Sequence, residues 1–337
     1  MGDLAGRRVL LVLATSTGGV GQHVRGLQER LTARGAEVLV ACPASTQAVF
    51  GFAGHVPVEI GGRPHPLRDA RAVRALRGVR ADVVHAHGLR AGTLAVLAGR
   101  RPLVVSWHNA QLGGGRGAAL LERLVARRAD VTLAASADLA DTARRAGARD
   151  VRLVPVAAPA LVRTGRDPGL GHPLVLAVGR LHPQKGYDVL LDALPLLGDA
   201  VVAVAGDGPL EAELRARAPH VHWLGRRTDV ADLLAAADVV VLPSVWEARS
   251  LTAQEALRAG RPLVATAVGG VPDLVGDGAL LVPARDAAAL GRAVRGLLDD
   301  PAAAATLAAR GARVAATWPG EDETAAQVAG VLAGLLP

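Results

Sequence analysis

Short apolar runs alternate with longer amphipathic segments along the whole chain. Residues 9–14, 37–41, 83–86, 103–107 and 131–134 are apolar runs of strand length, with helical periodicity between them. After 151–155 the pattern breaks at Ala157-Ala158-Pro159 and a polar stretch, 163–172, containing Gly, Pro and Asp. It restarts at 174–178 and continues through 201–205, 221–224, 239–242, 263–266 and 279–282. Continuous alternation of this kind predicts parallel sheets with helices on both faces. The expected fold class is α/β: two doubly wound, Rossmann-like domains that face each other across a cleft. The break sets the domains at 1–160 and 161–318, and the Ala-rich stretch near 301–309 reads as helix.

Composition narrows this picture. A chain of 337 residues can build two cores, and with 50% hydrophobic but only 2% aromatic residues those cores must consist of Ala, Val and Leu. The net charge of +7 raises nucleic acid and anionic membranes as partners. Arginine is spread along the chain without interleaved aromatics for base stacking, so no nucleic-acid partner is expected. Cys42 is the only cysteine, which rules out an internal disulfide and suits a reducing compartment. No apolar run approaches the roughly 20 residues of a membrane span. Arg7 and Arg8 before 9–14 imitate a signal peptide, but six apolar residues are too few for one and read as a first strand. The expected location is cytoplasmic.

The richest stretch is 244–270, S-V-W-E-A-R-S-L-T-A-Q-E-A-L-R-A-G-R-P-L-V-A-T-A-V-G-G. Glu247 and Glu255 stand eight positions apart between two apolar runs, where a loop should pass into a helix near Leu251. Open α/β sheets bind ligands at the carboxyl ends of their strands, and a helix start there favours an anion. Polar acceptors beside an anion site suit a nucleotide-sugar. Each glutamate also fits a capping box, Ser244-x-x-Glu247 and Thr252-x-x-Glu255, which would satisfy backbone amides and do no chemistry.

Of the 38 basic residues only Lys185 is lysine. It lies in G-R-L-H-P-Q-K-G, 179–186, so Arg180 and Lys185 can reach one anion from a single strand-to-helix loop. Lysine offers a compact point charge where arginine offers a flat fork. A glycine turn, T-G-G-V-G at 17–21, follows the first strand, and G-D-G-P at 206–209 repeats its position in the second half. His85 and His87 flank Ala86 at a strand end and are expected to point apart and serve different sites. His87 and His108, each at a strand tip, are read as partners for sugar hydroxyls. No metal set is expected, because CxxC and HExxH spacings are absent. Asp-x-Asp and the G-x-S-x-G nucleophile elbow are absent too.

These motifs together resemble the retaining glycosyltransferases of GT-B fold, the glycosyltransferase family 4 type. T-G-G-V-G, D-V-V-H-A-H-G at 82–88, S-W-H-N at 106–109, G-R-L-H-P-Q-K-G, G-D-G-P, L-G-R-R-T-D-V at 224–230 and the E-x7-E stretch carry the resemblance over nearly the whole chain. It implies a donor-binding second domain, an acceptor-binding first domain, and a terminal helix over 319–337 that crosses back to the first. Arg180 and Lys185 would hold the diphosphate, Glu255 the ribose hydroxyls and Glu247 the transferred sugar. Ser250, Leu251 and Thr252 would present amides to the phosphates, with Arg226 beside the base. His108 would contact the sugar, and Gly18 and Gly19 would line the cleft. The implied reaction moves a hexosyl group from a UDP- or GDP-sugar to a hydroxyl acceptor by front-face attack, with no metal and no cofactor. One departure is Ala248-Arg249-Ser250, where the family often has Gly-Phe-Gly.

Arg68, Arg71, Arg74 and Arg77 recur every three residues after Pro66. On a helix they spread over roughly half the surface, which reads either as a solvated face, the commoner outcome, or as one resting on anionic lipid at the inner side of a membrane and serving a lipid-linked acceptor. The alternatives are a nucleotide-sugar epimerase of similar fold and a non-catalytic nucleotide-sugar-binding protein.

Overall fold

The structure, a computed structural model, describes residues 4–99, 102–110 and 115–337. It divides into two compact units, one ending at Ala157 and regaining Pro319–Pro337, the other Ala158–Trp318.

The first unit is built on a seven-stranded sheet in the order β3-β2-β1-β4-β5-β6-β7. Its strands are β1 (Arg8–Leu13), β2 (Glu37–Cys42), β3 (His55–Pro57), β4 (Val83–His87), β5 (Leu103–Trp107), β6 (Val131–Ala134) and β7 (Val151–Leu153). Every pairing is parallel. The order reverses between β1 and β4, the switch point where such sheets leave a crevice. Register sets His87 beside Leu13 on one side and Ser106 on the other. Short β3, with its three residues at the sheet edge, carries too little apolar pattern to be foreseen from the sequence.

The second unit has six strands in the order β10-β9-β8-β11-β12-β13. They are β8 (Leu174–Val178), β9 (Val201–Ala205), β10 (His222–Gly225), β11 (Val239–Leu242), β12 (Leu263–Thr266) and β13 (Leu280–Val282), again all parallel. Here the switch point lies between β8 and β11. Both units are thus doubly wound α/β folds, as the alternation predicts.

Small side chains let the layers come close. Gly21 lies one turn into the helix Gly19–Ala33, and a Cβ there would sit 2.1 Å from the Phe50 ring. The glycine turn is therefore partly helix, and its last glycine serves packing. Gly18, the N-cap, has φ −130, and a Cβ there meets nothing within 4 Å.

The last helix, Glu321–Ala333, completes the first unit's core. Its Ala325, Val328, Ala329 and Leu332 join Val24, Leu27 and Leu31 of the helix Gly19–Ala33 in one buried cluster. Arg30 fixes the start of this contact, at 3.0 Å from Glu321 and 2.7 Å from Asp322. Leu332 is fully buried, so Leu332→Ala should cost about 2–5 kcal/mol through lost burial and a cavity. Chemical denaturation checks this: the mutant's midpoint falls, and an unchanged midpoint would mean that the helix only rests on the surface.

Candidate functional site

In the second unit, the loops after β8, β11 and β12 are held backbone to backbone at the switch point. Gly186 has φ +63, and a Cβ there would lie 2.1 Å from the Pro243 carbonyl oxygen. Gly269, at φ +51, would place one 2.0 Å from the carbonyl oxygen of Glu247. Glycine is needed at both positions, for its freedom at positive φ and for its missing side chain. Val245 N donates to the Gln184 carbonyl at 2.8 Å, and Gln184 Nε2 donates to the Trp246 carbonyl at 2.9 Å. Gly270 N donates to the Glu247 carbonyl at 2.9 Å.

This stitching brings the only lysine to the first glutamate. Lys185 Nζ donates to Glu247 Oε1 at 2.6 Å, and Ser244 Oγ donates to the same oxygen at 2.7 Å. Glu247 is only 6% exposed, and a carboxylate buried this deeply needs such partners. The S-x-x-E pattern at 244–247 is therefore a side-chain contact within a loop and not a helix cap. Ser244, which the sequence reading treats only as a cap, is the residue that helps to fix Glu247.

The second capping box is also excluded. Ser250 caps the helix Leu251–Arg258, accepting from Ala253 N at 3.3 Å, so Glu255 lies beyond the capping positions. Thr252 Oγ1 donates to the Val178 carbonyl at the end of β8, 3.1 Å away. That contact ties the helix start to the strand that leads to Arg180 and Lys185. Ser250, Leu251 and Thr252 thus form the first turn beside the Lys185–Glu247 pair. Burial pushes the Glu255 carboxyl up to about 7, against the opposing pull of Arg258 and Lys185.

Two of the predicted residues stand further out. Arg180 is exposed on the loop after β8. Arg226, also exposed, follows β10 and lies 3.9 Å from Asp207 in the loop after β9. Arg249, at the departure from Gly-Phe-Gly, turns its guanidinium over the Trp318 ring at 5.8 Å, with Arg258 at 5.9 Å from the same ring. Burial, then repulsion from Arg258, lowers its pKa to about 10.

In the first unit the histidines gather. His87 Nδ1 lies 3.1 Å from His108 Nε2, and the two rings stack with centroids 5.3 Å apart. His23, from the helix Gly19–Ala33, meets both edge-on, at 5.8 Å and 5.5 Å. The expectation that His85 and His87 point apart is wrong: their centroids are 4.1 Å apart. Residues i and i+2 of a strand share one face, because side chains alternate with period 2. His85 Nε2 pairs with Ser106 Oγ at 2.7 Å. Burial holds all four histidines below their ordinary pKa, His23 at about 4 and His85 at about 3. Each is therefore neutral near pH 7. His23 was missed because a single histidine inside a helical segment carries no spacing signal.

Comparison with known proteins bears on both units. Residues 18–159 match the family model described as "Glycosyl transferase 4-like domain", and residues 172–300 match "Glycosyl transferases group 1". The chain is 30% identical to a glycogen synthase of Mycobacterium tuberculosis, over 85% of this chain and 84% of that one. It is 34% identical to a D-inositol 3-phosphate glycosyltransferase of Xylanimonas cellulosilytica, covering 75% and 72% of the two. The crystal structure of HepE from Anabaena in complex with UDP and glucose superposes with a TM-score of 0.83 at 22% identity, over 98% of this chain and all of that one. That likeness shows the GT-B fold.

The raised Glu255 pKa sets a pH signature. An acid whose folded pKa exceeds its unfolded value destabilises the fold only where the unfolded form is ionised. The penalty is absent below about 4.5, grows as pH rises, and is complete above about 7. Glu255→Gln should therefore match wild type at low pH and exceed it by about 1–3 kcal/mol at pH 8. Denaturation midpoints at pH 4.5 and 8 test this, and a mutant less stable at pH 8 would show Glu255 to be a favourably paired carboxylate.

Proposed function

We propose that this chain, which belongs to the GT-B-fold glycosyltransferases of the family 4 type, transfers a hexosyl group from a nucleotide-sugar to a hydroxyl acceptor with retention of configuration. The observation that carries the reading is the convergence of Lys185, Glu247 and the first turn of the helix Leu251–Arg258 at one switch point. A diphosphate arriving there finds an ammonium with two further hydrogens to donate and the amides of Ser250, Leu251 and Thr252. Arg180 adds a second cation as the leaving group gains charge. This set does without the metal clamp that Asp-x-Asp would supply.

In this reading residues 161–318 bind the donor and residues 1–160 the acceptor. Glu255 takes the ribose hydroxyls, Arg226 lies beside the base, and Glu247 and His108 meet the transferred sugar. His87, Gly18 and Gly19 line the approach. Glu247 already accepts from Lys185 and Ser244, which makes it a poor nucleophile and a good anchor for a sugar hydroxyl. The family resemblance implies front-face attack through an oxocarbenium-like state without a covalent intermediate, and a Glu247 held in this way fits that mechanism. UDP-glucose is the first donor to try, since HepE was crystallised with UDP and glucose.

Calorimetric titration with UDP, GDP and ADP in EDTA tests the donor site. One nucleotide binds wild type, and Lys185→Ala weakens it by about 1.5–3 kcal/mol, roughly 10- to 150-fold. Equal binding by mutant and wild type would remove Lys185 from the diphosphate. Transfer from the matching sugar nucleotide, with the product's anomeric configuration read by NMR, tests retention.

The acceptor side includes a membrane surface at the cytoplasmic face. Among the described residues no helix is long and apolar enough to cross a membrane. The helix Pro66–Gly78 instead exposes Arg68, Arg71, Arg74 and Arg77, next to Leu67 at 69% exposure. Such a face holds anionic lipid by about 1 kcal/mol per arginine. Changing all four to Gln should abolish flotation with phosphatidylserine vesicles while leaving nucleotide affinity intact; unchanged flotation rejects this surface.

A further inference from the structure

We propose that His23, His87 and His108 form a binding site for one transition-metal ion of the zinc class, and that its occupation withdraws His108 from sugar transfer. The second half rests on the proposed function; the first does not. One nitrogen from each of the three rings lies within 4.8 Å of the others. Two nitrogens bonded to one tetrahedral zinc at about 2.1 Å stand roughly 3.4 Å apart, so the set closes with about an ångström of ring movement. His87 Nδ1 and His108 Nε2 are at that spacing already, at 3.1 Å. The partly exposed His23 is the ring free to move toward them.

The donor chemistry of the group favours an ion. No carboxylate belongs to the group, so the donor set is nitrogen alone, which selects zinc, nickel, cobalt or copper over magnesium or calcium. Three histidines leave one coordination position open to water or an anion.

The three ligands come from the helix Gly19–Ala33, the end of β4 and the residue after β5. Because β4 and β5 are adjacent in register and β1 runs into that helix, the switch point of the first unit assembles the set. His85, tilted against His87 and held by Ser106, packs on the ring from behind. A metal on His108 takes the nitrogen that would otherwise face a sugar hydroxyl. The ion therefore acts as an inhibitor and has no part in the chemistry.

The test is calorimetric titration of tag-free, chelator-stripped protein with zinc chloride, alongside His23→Gln and His222→Gln. His222 is exposed on the second unit and serves as control. Wild type and His222→Gln should take up one equivalent with equal affinity, and His23→Gln should bind at least about tenfold more weakly. No saturable uptake by wild type, or equal weakening in both variants, overturns the site. This readout needs no turnover, so it stands or falls apart from the transferase reading. Where transfer is measured, zinc at the titrated affinity should inhibit wild type, EDTA should restore it, and His23→Gln should resist. Saturating zinc without inhibition overturns the regulatory half.

Discussion

The site at the second unit's switch point depends on one constraint: three loops at the ends of β8, β11 and β12 must touch through their backbones. Gly186 and Gly269 have positive φ and sit where any side chain would strike a carbonyl oxygen. Remove that closeness and Lys185 no longer reaches Glu247, since the pair is separated by 62 residues and joined by a single 2.6 Å contact. The same constraint explains how Glu247 keeps polar partners while nearly buried. Its desolvation is offset by an ammonium and a hydroxyl on one oxygen, supplied by two different loops. A further pair of glycines continues the pattern, with a Cβ at Gly206 only 1.9 Å from the Gly179 carbonyl oxygen. The loops after β8 and β9 are thereby stacked as well.

The first unit solves a different problem with the same topology. Its switch point is lined by uncharged aromatic rings in place of ions. Burial suppresses protonation of four histidines, so their nitrogens accept as readily as they donate. A cationic cluster at that place would repel itself and would be costly to bury. Neutral rings pack together instead, and two of them, His85 and His87, each keep a buried nitrogen unpaired. Charged groups concentrate in the second unit's site and neutral ones in the first unit's.

Much of the fold is legible in the amino-acid sequence. Apolar runs of strand length announce a parallel sheet whatever their neighbours, which is why, among the described residues, every strand but β3 coincides with a run in the sequence. The exception argues the point: β3 is three residues at an edge. The Lys185 loop and the paired glutamates stand out because glycine, proline and a lone lysine break an otherwise uniform composition. Local signals failed where two readings share one motif. S-x-x-E serves equally as a helix cap or as a loop contact, and only the position of the helix start, at Leu251 after a Ser250 cap, decides between them.

Chain pattern and motif content were thus sufficient for the fold class and the family. Tertiary structure alone decided which side chains meet. It joined Ser244 to Glu247, turned Arg249 toward Trp318, and gathered His23 with His87 and His108. Strand periodicity is a local property, set by backbone geometry and burial within a few residues. Contacts at a switch point join strands that are distant in sequence, so they are fixed by sheet order and register, which no short stretch of residues encodes.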